Sequence, residues 1–228
     1  MPDADFYLWQ LISPALPVGS YAYSQGMESA VEHAYVINEQ QAQEWIMDIL
    51  SHNLSKLDGP VFCRMYDFWQ AGNWQQLLYW NDFLLASRES AEFYAEDRQL
   101  GKALLKLAQG LDMGEQCEKT LIKLQALEHG VVYVLVLSYL AVHWKIPAIK
   151  MLQGLYWSWA ENQVAAAIKL VPLGQLSGQR ILSRIIPLCE ELAHQSSVIP
   201  DGQIGSMTPG LSLLSARHEQ QYSRLFRS

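Results

Sequence analysis

The sequence predicts an all-α fold, one compact domain of many helices packed around a single core. Three observations predict it. Apolar residues recur at steps of three and four over long stretches, and the most apolar run has no period-two partner with which a strand could pair. Half of the 228 residues are apolar, at a length that one core still serves. Eight Trp, eleven Tyr and six Phe supply large buried areas, each fully enclosed ring contributing roughly 1.5–3 kcal/mol or more, so the core needs no covalent staples.

In chain order, the stretch from Pro14 to Glu28 comes first. Pro14, Pro17, Gly19 and Gly26 surround Tyr21 and Tyr23, which is more constraint than a simple helix entry requires. Two readings stay open there, a rigid buried turn and a part of a binding surface. Ala42, Trp45, Ile46, Ile49, Leu50, Leu54 and Leu57 then share one helical face, with Asn38 as N-cap and Gln41 three residues on, close to a capping box. Glu89, Glu92 and Glu96 line one face beside Arg88 and Arg98, the pattern of a surface ladder of salt bridges. Leu100, Leu104, Leu107, Ala108 and Leu111 draw a further apolar stripe, with Asp112-Met113-Gly114 as its C-terminal stop.

Val131 to Val142 is apolar all round apart from Ser138 and the Tyr hydroxyls, which predicts a buried central helix. Pro147 is placed to open a helix carrying Leu152, Leu155, Tyr156 and Trp159, and Pro172 and Pro187 punctuate the chain beyond it. From Gln195 to Gly210 the composition turns to Ser, Gly, Pro and Asp, predicting an irregular, mobile segment. Residues 211–228 form a C-terminal helix and docking tail. Its last part sets Arg217, Arg224 and Arg227 against one Glu219, with Tyr222, Leu225 and Phe226 interleaved, residue types enriched at binding hot spots. The alternative is ordinary docking of that tail onto its own core.

A net charge of −7 opposes binding to a phosphate backbone, so nucleic acid is not an expected partner. No apolar run reaches the ~20 residues that span a bilayer, and the start, with Asp3 and Asp5, lacks the positive charge of a secretory signal. Cys63, Cys117 and Cys189 lie far apart with no CxxC, which fits a reducing cytoplasm and small apolar core residues. Glu190 and Glu191 would further oppose a thiolate at Cys189. Gly101-Lys102 lacks the rest of a P-loop, and GxSxG is absent. Glu191-x-x-His194 has the spacing of a di-metal ligand pair but occurs once, which points to a solvated helix end. The residues therefore predict no catalytic centre, no resident metal and no cofactor. A small helical enzyme of the thiaminase or haem-oxygenase-like kind shares this length and helix content and is the alternative, though it would need convergent acid, nucleophile or ligand residues.

Four segments together resemble the urease accessory protein UreF family: Leu16 to Glu28, Ser87-Arg88-Glu89 with Arg98 and Gly101, Lys169 to Gln175, and Ala216 to Ser228. The resemblance implies a chaperone-like, dimeric helical scaffold that joins UreD (also called UreH) on apo-urease, recruits the GTPase UreG and promotes nickel insertion. It also implies a tail that becomes ordered on the UreD partner. Tyr21 and Arg224 match residues that hold the tail in its binding-competent arrangement, and Glu28 and Lys169 match positions linked to control of UreG. Tyr222 and Phe226 join them as expected partner-binding residues.

Overall fold

In the computed structural model, which describes residues 3–227, eleven α-helices and no strand occur among the described residues. They are α1 (Ala4–Ile12), α2 (Met27–Glu32), α3 (Glu39–Ile49), α4 (Asp58–Ala71), α5 (Trp74–Ala86) and α6 (Ala91–Gln109), followed by α7 (Glu115–Gln125), α8 (Tyr133–His143), α9 (Ala148–Leu170), α10 (Gln175–Ser197) and α11 (Pro209–His218). One contiguous set of buried side chains joins them.

The helix that is apolar on every side goes to the centre, because it has no face to offer water. Val134, Leu135, Val136, Leu137, Leu140 and Ala141 of α8 are all buried, against α4, α6 and α9. The polar side chain among them, Ser138, is satisfied internally. Its hydroxyl donates to the Leu135 carbonyl at 2.9 Å, and the Trp69 indole N–H of α4 reaches both groups at 3.2 Å. α9 packs against α10 and also meets α1, α2 and α3.

Asn38 caps α3, its side-chain oxygen accepting from the Gln41 N–H at 3.0 Å. The Gln41 side chain reaches back to the Ile37 N–H at 2.9 Å, one residue beyond the position of a standard capping box.

Several sequence expectations need correction. α6 stops at Gln109, and Gly114, at φ +83°, introduces α7 instead of closing the stripe before it. Pro147 is the residue just before α9 rather than its first helical one. Pro187 does not end a helix; it lies inside α10. The lost backbone bond costs ~3 kcal/mol or more, and burial of Ile181, Ile185, Cys189 and Leu192 along the same helix offsets it. Residues Gln195 to Ser197 are the last turn of α10, so the irregular segment is confined to 198–208. It is tied to the body at several points. Arg64 donates to Asp201 at 2.6 Å and to the Ile199 carbonyl at 2.5 Å, and the Gly205 N–H donates to the Lys56 carbonyl at 3.0 Å.

The turn between α5 and α6 holds a buried framework. The Arg88 guanidinium lies 2.6 Å from Asp58 of α4 and 2.6 Å from Asp97 of α6, and Asp97 accepts the Tyr133 N–H that opens α8 at 2.8 Å. Burial disfavours the Arg88 charge, but the two carboxylates outweigh it and push the pKa of Arg88 up. Gly101 shows why the same region tolerates no side chain: a Cβ there would sit 2.1 Å from the Val131 carbonyl oxygen, where the chain entering α8 crosses α6.

Candidate partner-docking site

The last residues fold back onto α2 and α6. Their receptor begins with the turn before α2, where Gln25 and Gly26 both adopt positive φ, +52° and +81°. The Gln25 side chain holds this turn in place by accepting from the Trp159 indole at 2.5 Å and donating to Glu96 at 2.6 Å. Asn162 of α9 donates to the Ser20 and Tyr23 carbonyls at 3.1 and 3.2 Å. A rigid turn is thus realised from Ser20 to Glu28, while Pro14, Ala15, Pro17 and Gly19 before it are exposed, and its product is the position of Glu28.

Glu28 is buried and faces the tail. One carboxylate oxygen accepts the Leu225 N–H at 2.6 Å; the other accepts the Phe226 N–H at 2.9 Å and lies 3.1 Å from His218 Nε2. His218 ends α11 and has no exposed surface. Its Nδ1 lies 3.0 Å from both oxygens of Glu92, which also receives the Arg224 guanidinium at 3.0 Å. Phe226 is inserted as the apolar anchor, 7% exposed, with the Lys169 ammonium 5.5 Å from its ring centroid. The Arg227 N–H closes the arrangement on the Ala22 carbonyl at 2.8 Å.

Four of the six residues predicted for partner binding, Glu28, Lys169, Arg224 and Phe226, therefore meet at one place. Tyr222 belongs to the same segment but is fully exposed. Tyr21 goes elsewhere: it lines a cavity of about 140 Å³ shared with Gln25, Asp58, Arg88, Glu96 and Trp159. Burial there, helped by the charge of Glu161, pushes the Tyr21 hydroxyl up to about 12.

Sequence reasoning missed Glu92 and His218. Of the ladder read from Glu89, Glu92 and Glu96, only Glu89 is on the surface. Glu92 and Glu96 are turned inward, Glu89 accepts from the Ser212 hydroxyl of α11, and Arg88 is spent on Asp58 and Asp97. A repeat of glutamates at helical spacing reads the same whether it faces water or a segment more than a hundred residues away.

The groups considered for chemistry stay apart from this site. Burial pushes the Cys63 and Cys189 thiols up to about 12. For Cys189 the cause is enclosure rather than its neighbouring glutamates. Glu191 and His194 are both exposed near the end of α10. Among the described residues, no three His, Cys, Asp or Glu are grouped to hold a metal ion, and no helix is long and apolar enough to cross a membrane.

Fold and site together define a class: an all-helical protein whose C-terminal segment is docked on its own body, the alternative that the sequence left open for it. Comparison with known proteins makes this specific. The UreF family model matches residues 36–186. A urease accessory protein UreF of Pseudoalteromonas translucida is 43% identical over 97% of this chain and 93% of its own, and one of Psychrobacter cryohalolentis is 42% identical over the same shares. A third, from Hahella chejuensis, is 40% identical over 100% of this chain and 99% of its own. The chain belongs to the UreF family of urease accessory proteins, helpers of an enzyme and not enzymes by name.

Proposed function

We propose that this chain promotes nickel insertion into urease by docking on UreD/UreH at apo-urease and recruiting the GTPase UreG, and that it does so as a homodimer in the cytoplasm. Nickel is cargo of the assembly in this reading, and the chain needs no cofactor of its own. The observation that carries the proposal is the captured tail. Glu28, Glu92 and Lys169 hold its inner side, while Tyr222, Leu225 and the outer part of Arg224 face outward as an aromatic and basic surface on a chain whose net charge is −7. Similarity over nearly the whole length to proteins named urease accessory protein UreF supplies the context.

The resemblance links Glu28 and Lys169 to control of UreG. Both touch the tail, so we assign that control to tail placement rather than to a direct contact with the GTPase. The test is capture of UreD by the full chain and by Arg224→Ala. Loss of a hot-spot arginine costs ~2 kcal/mol or more, roughly thirtyfold in affinity, with helical content unchanged by circular dichroism. Equal capture by the two proteins would refute the tail as the docking element.

A further inference from the structure

We propose that docking of the C-terminal segment is coupled to uptake of one proton by the Glu28–His218–Glu92 cluster, which makes the tail a pH-sensitive latch. Counting hydrogens leads to this proton. His218 is fully enclosed, with Nε2 3.1 Å from a Glu28 oxygen and Nδ1 3.0 Å from the Glu92 oxygens. A neutral imidazole has one N–H and one lone pair. With carboxylates on both sides, one nitrogen would meet an oxygen lone pair against lone pair at about 3 Å. A second proton removes the conflict. Whether it resides on the ring or on a facing carboxyl, it belongs to the cluster as a unit.

Charge balance gives the same answer. With the proton in place, Glu28, Glu92, His218 and Arg224 sum to zero; without it one negative charge stays buried under the tail, an expensive arrangement. The other charged groups nearby come from each element around the site. On α6, Glu96 receives Gln25; Glu219, Arg227 and Tyr23 border the outer side of the cluster beside Arg224; Arg217 precedes His218; and Lys169 of α9 sits over Phe226. Arg224 reaches Glu92 itself, and it is already included in the balance.

Docked and released tails differ in how tightly they hold this proton. In this proposal release of the tail lets water solvate the two carboxylates, and an imidazole in water loses its second proton near neutral pH. Above that pH the released form has lost the proton that the docked form needs, so docking weakens as pH rises, by up to about tenfold per pH unit. Below it both forms hold the proton, and the dependence flattens. The coupling is a property of this chain alone and stands whether or not the tail meets UreD.

The experiment is hydrogen exchange of the Leu225 and Phe226 amides, the two that donate to Glu28, in the full chain between about pH 6 and 8.5, corrected for intrinsic exchange. In the wild type, protection should hold near pH ~6 and fall by up to about tenfold per pH unit above ~7, while amides of α8 keep theirs. Glu92→Gln should abolish the slope. The introduced carboxamide can donate to Nδ1 while its oxygen keeps Arg224, so a neutral His218 is satisfied on both sides. Wild-type protection that is constant across the range would overturn the proposal, as would an equal slope in Glu92→Gln. The wild-type slope decides the matter by itself, even where the variant holds its tail too weakly to be measured.

Discussion

The Asp58–Arg88–Asp97 cluster and the Glu28–His218–Glu92–Arg224 cluster both set cationic groups between two carboxylates, but they differ in what they join. Arg88 links α4, α6 and, through Asp97, the start of α8, all within the body of the chain. The second cluster joins α2 and α6 to the end of α11 and the non-helical segment after it. An arginine cannot lose its charge at any ordinary pH, whereas a histidine changes charge near neutrality. Similar electrostatics thus makes a permanent framework in one setting and a releasable attachment in the other. The chain's connectivity and the titrating group decide which.

The largest effect should come from breaking the framework. Arg88→Met leaves two buried carboxylates without a counterion, which should lower the unfolding free energy by about 3–5 kcal/mol, read from a denaturant titration. A midpoint equal to that of the wild type would erase the distinction between the clusters.

Glu28→Ala should act more locally. It removes the acceptor of two backbone amides and one face of His218, about 2–3 kcal/mol of tail docking. Carboxypeptidase should then digest the C-terminus roughly thirtyfold faster or more, with the unfolding midpoint shifting less than in Arg88→Met. A variant that unfolds globally before its tail is released would place Glu28 in the framework instead.

Arg224→Ala should be the mildest in the isolated chain. The side chain is 41% exposed against 9% for Glu92, so water screens its charge and takes over its role beside Glu92, leaving a loss of about 1 kcal/mol and digestion about fivefold faster. Set beside the large loss expected in UreD capture, that small effect separates a residue that serves the partner from one that serves the fold.

Much of the fold was legible in the chain. The all-round apolar run of α8, the Asn38 cap and the stripe of α3 follow from local periodicity and capping chemistry, which act within a few residues. The misreadings share a cause as well. Pro187 inside α10 and the helical residues Gln195 to Ser197 are cases where packing overrode a local signal. Glu92 was read as solvated because nothing within one helix indicates that a segment 126 residues away will cover it.

The candidate site was legible only in part, and unevenly. Three family-like segments, Leu16 to Glu28, Lys169 to Gln175 and Ala216 to Ser228, marked Glu28, Lys169, Arg224 and Phe226, and these do converge. Tyr21 carried the same kind of mark and faces a different cavity.

By itself, then, the sequence determined the helical class, the central helix, the charge that disfavours nucleic acid and the kinship with urease accessory proteins. Each of these depends on residue type and spacing along the chain. Only the tertiary structure decided which carboxylates are buried and which side chains they meet, because burial and pairing across 126 or 190 residues are properties of packing in space.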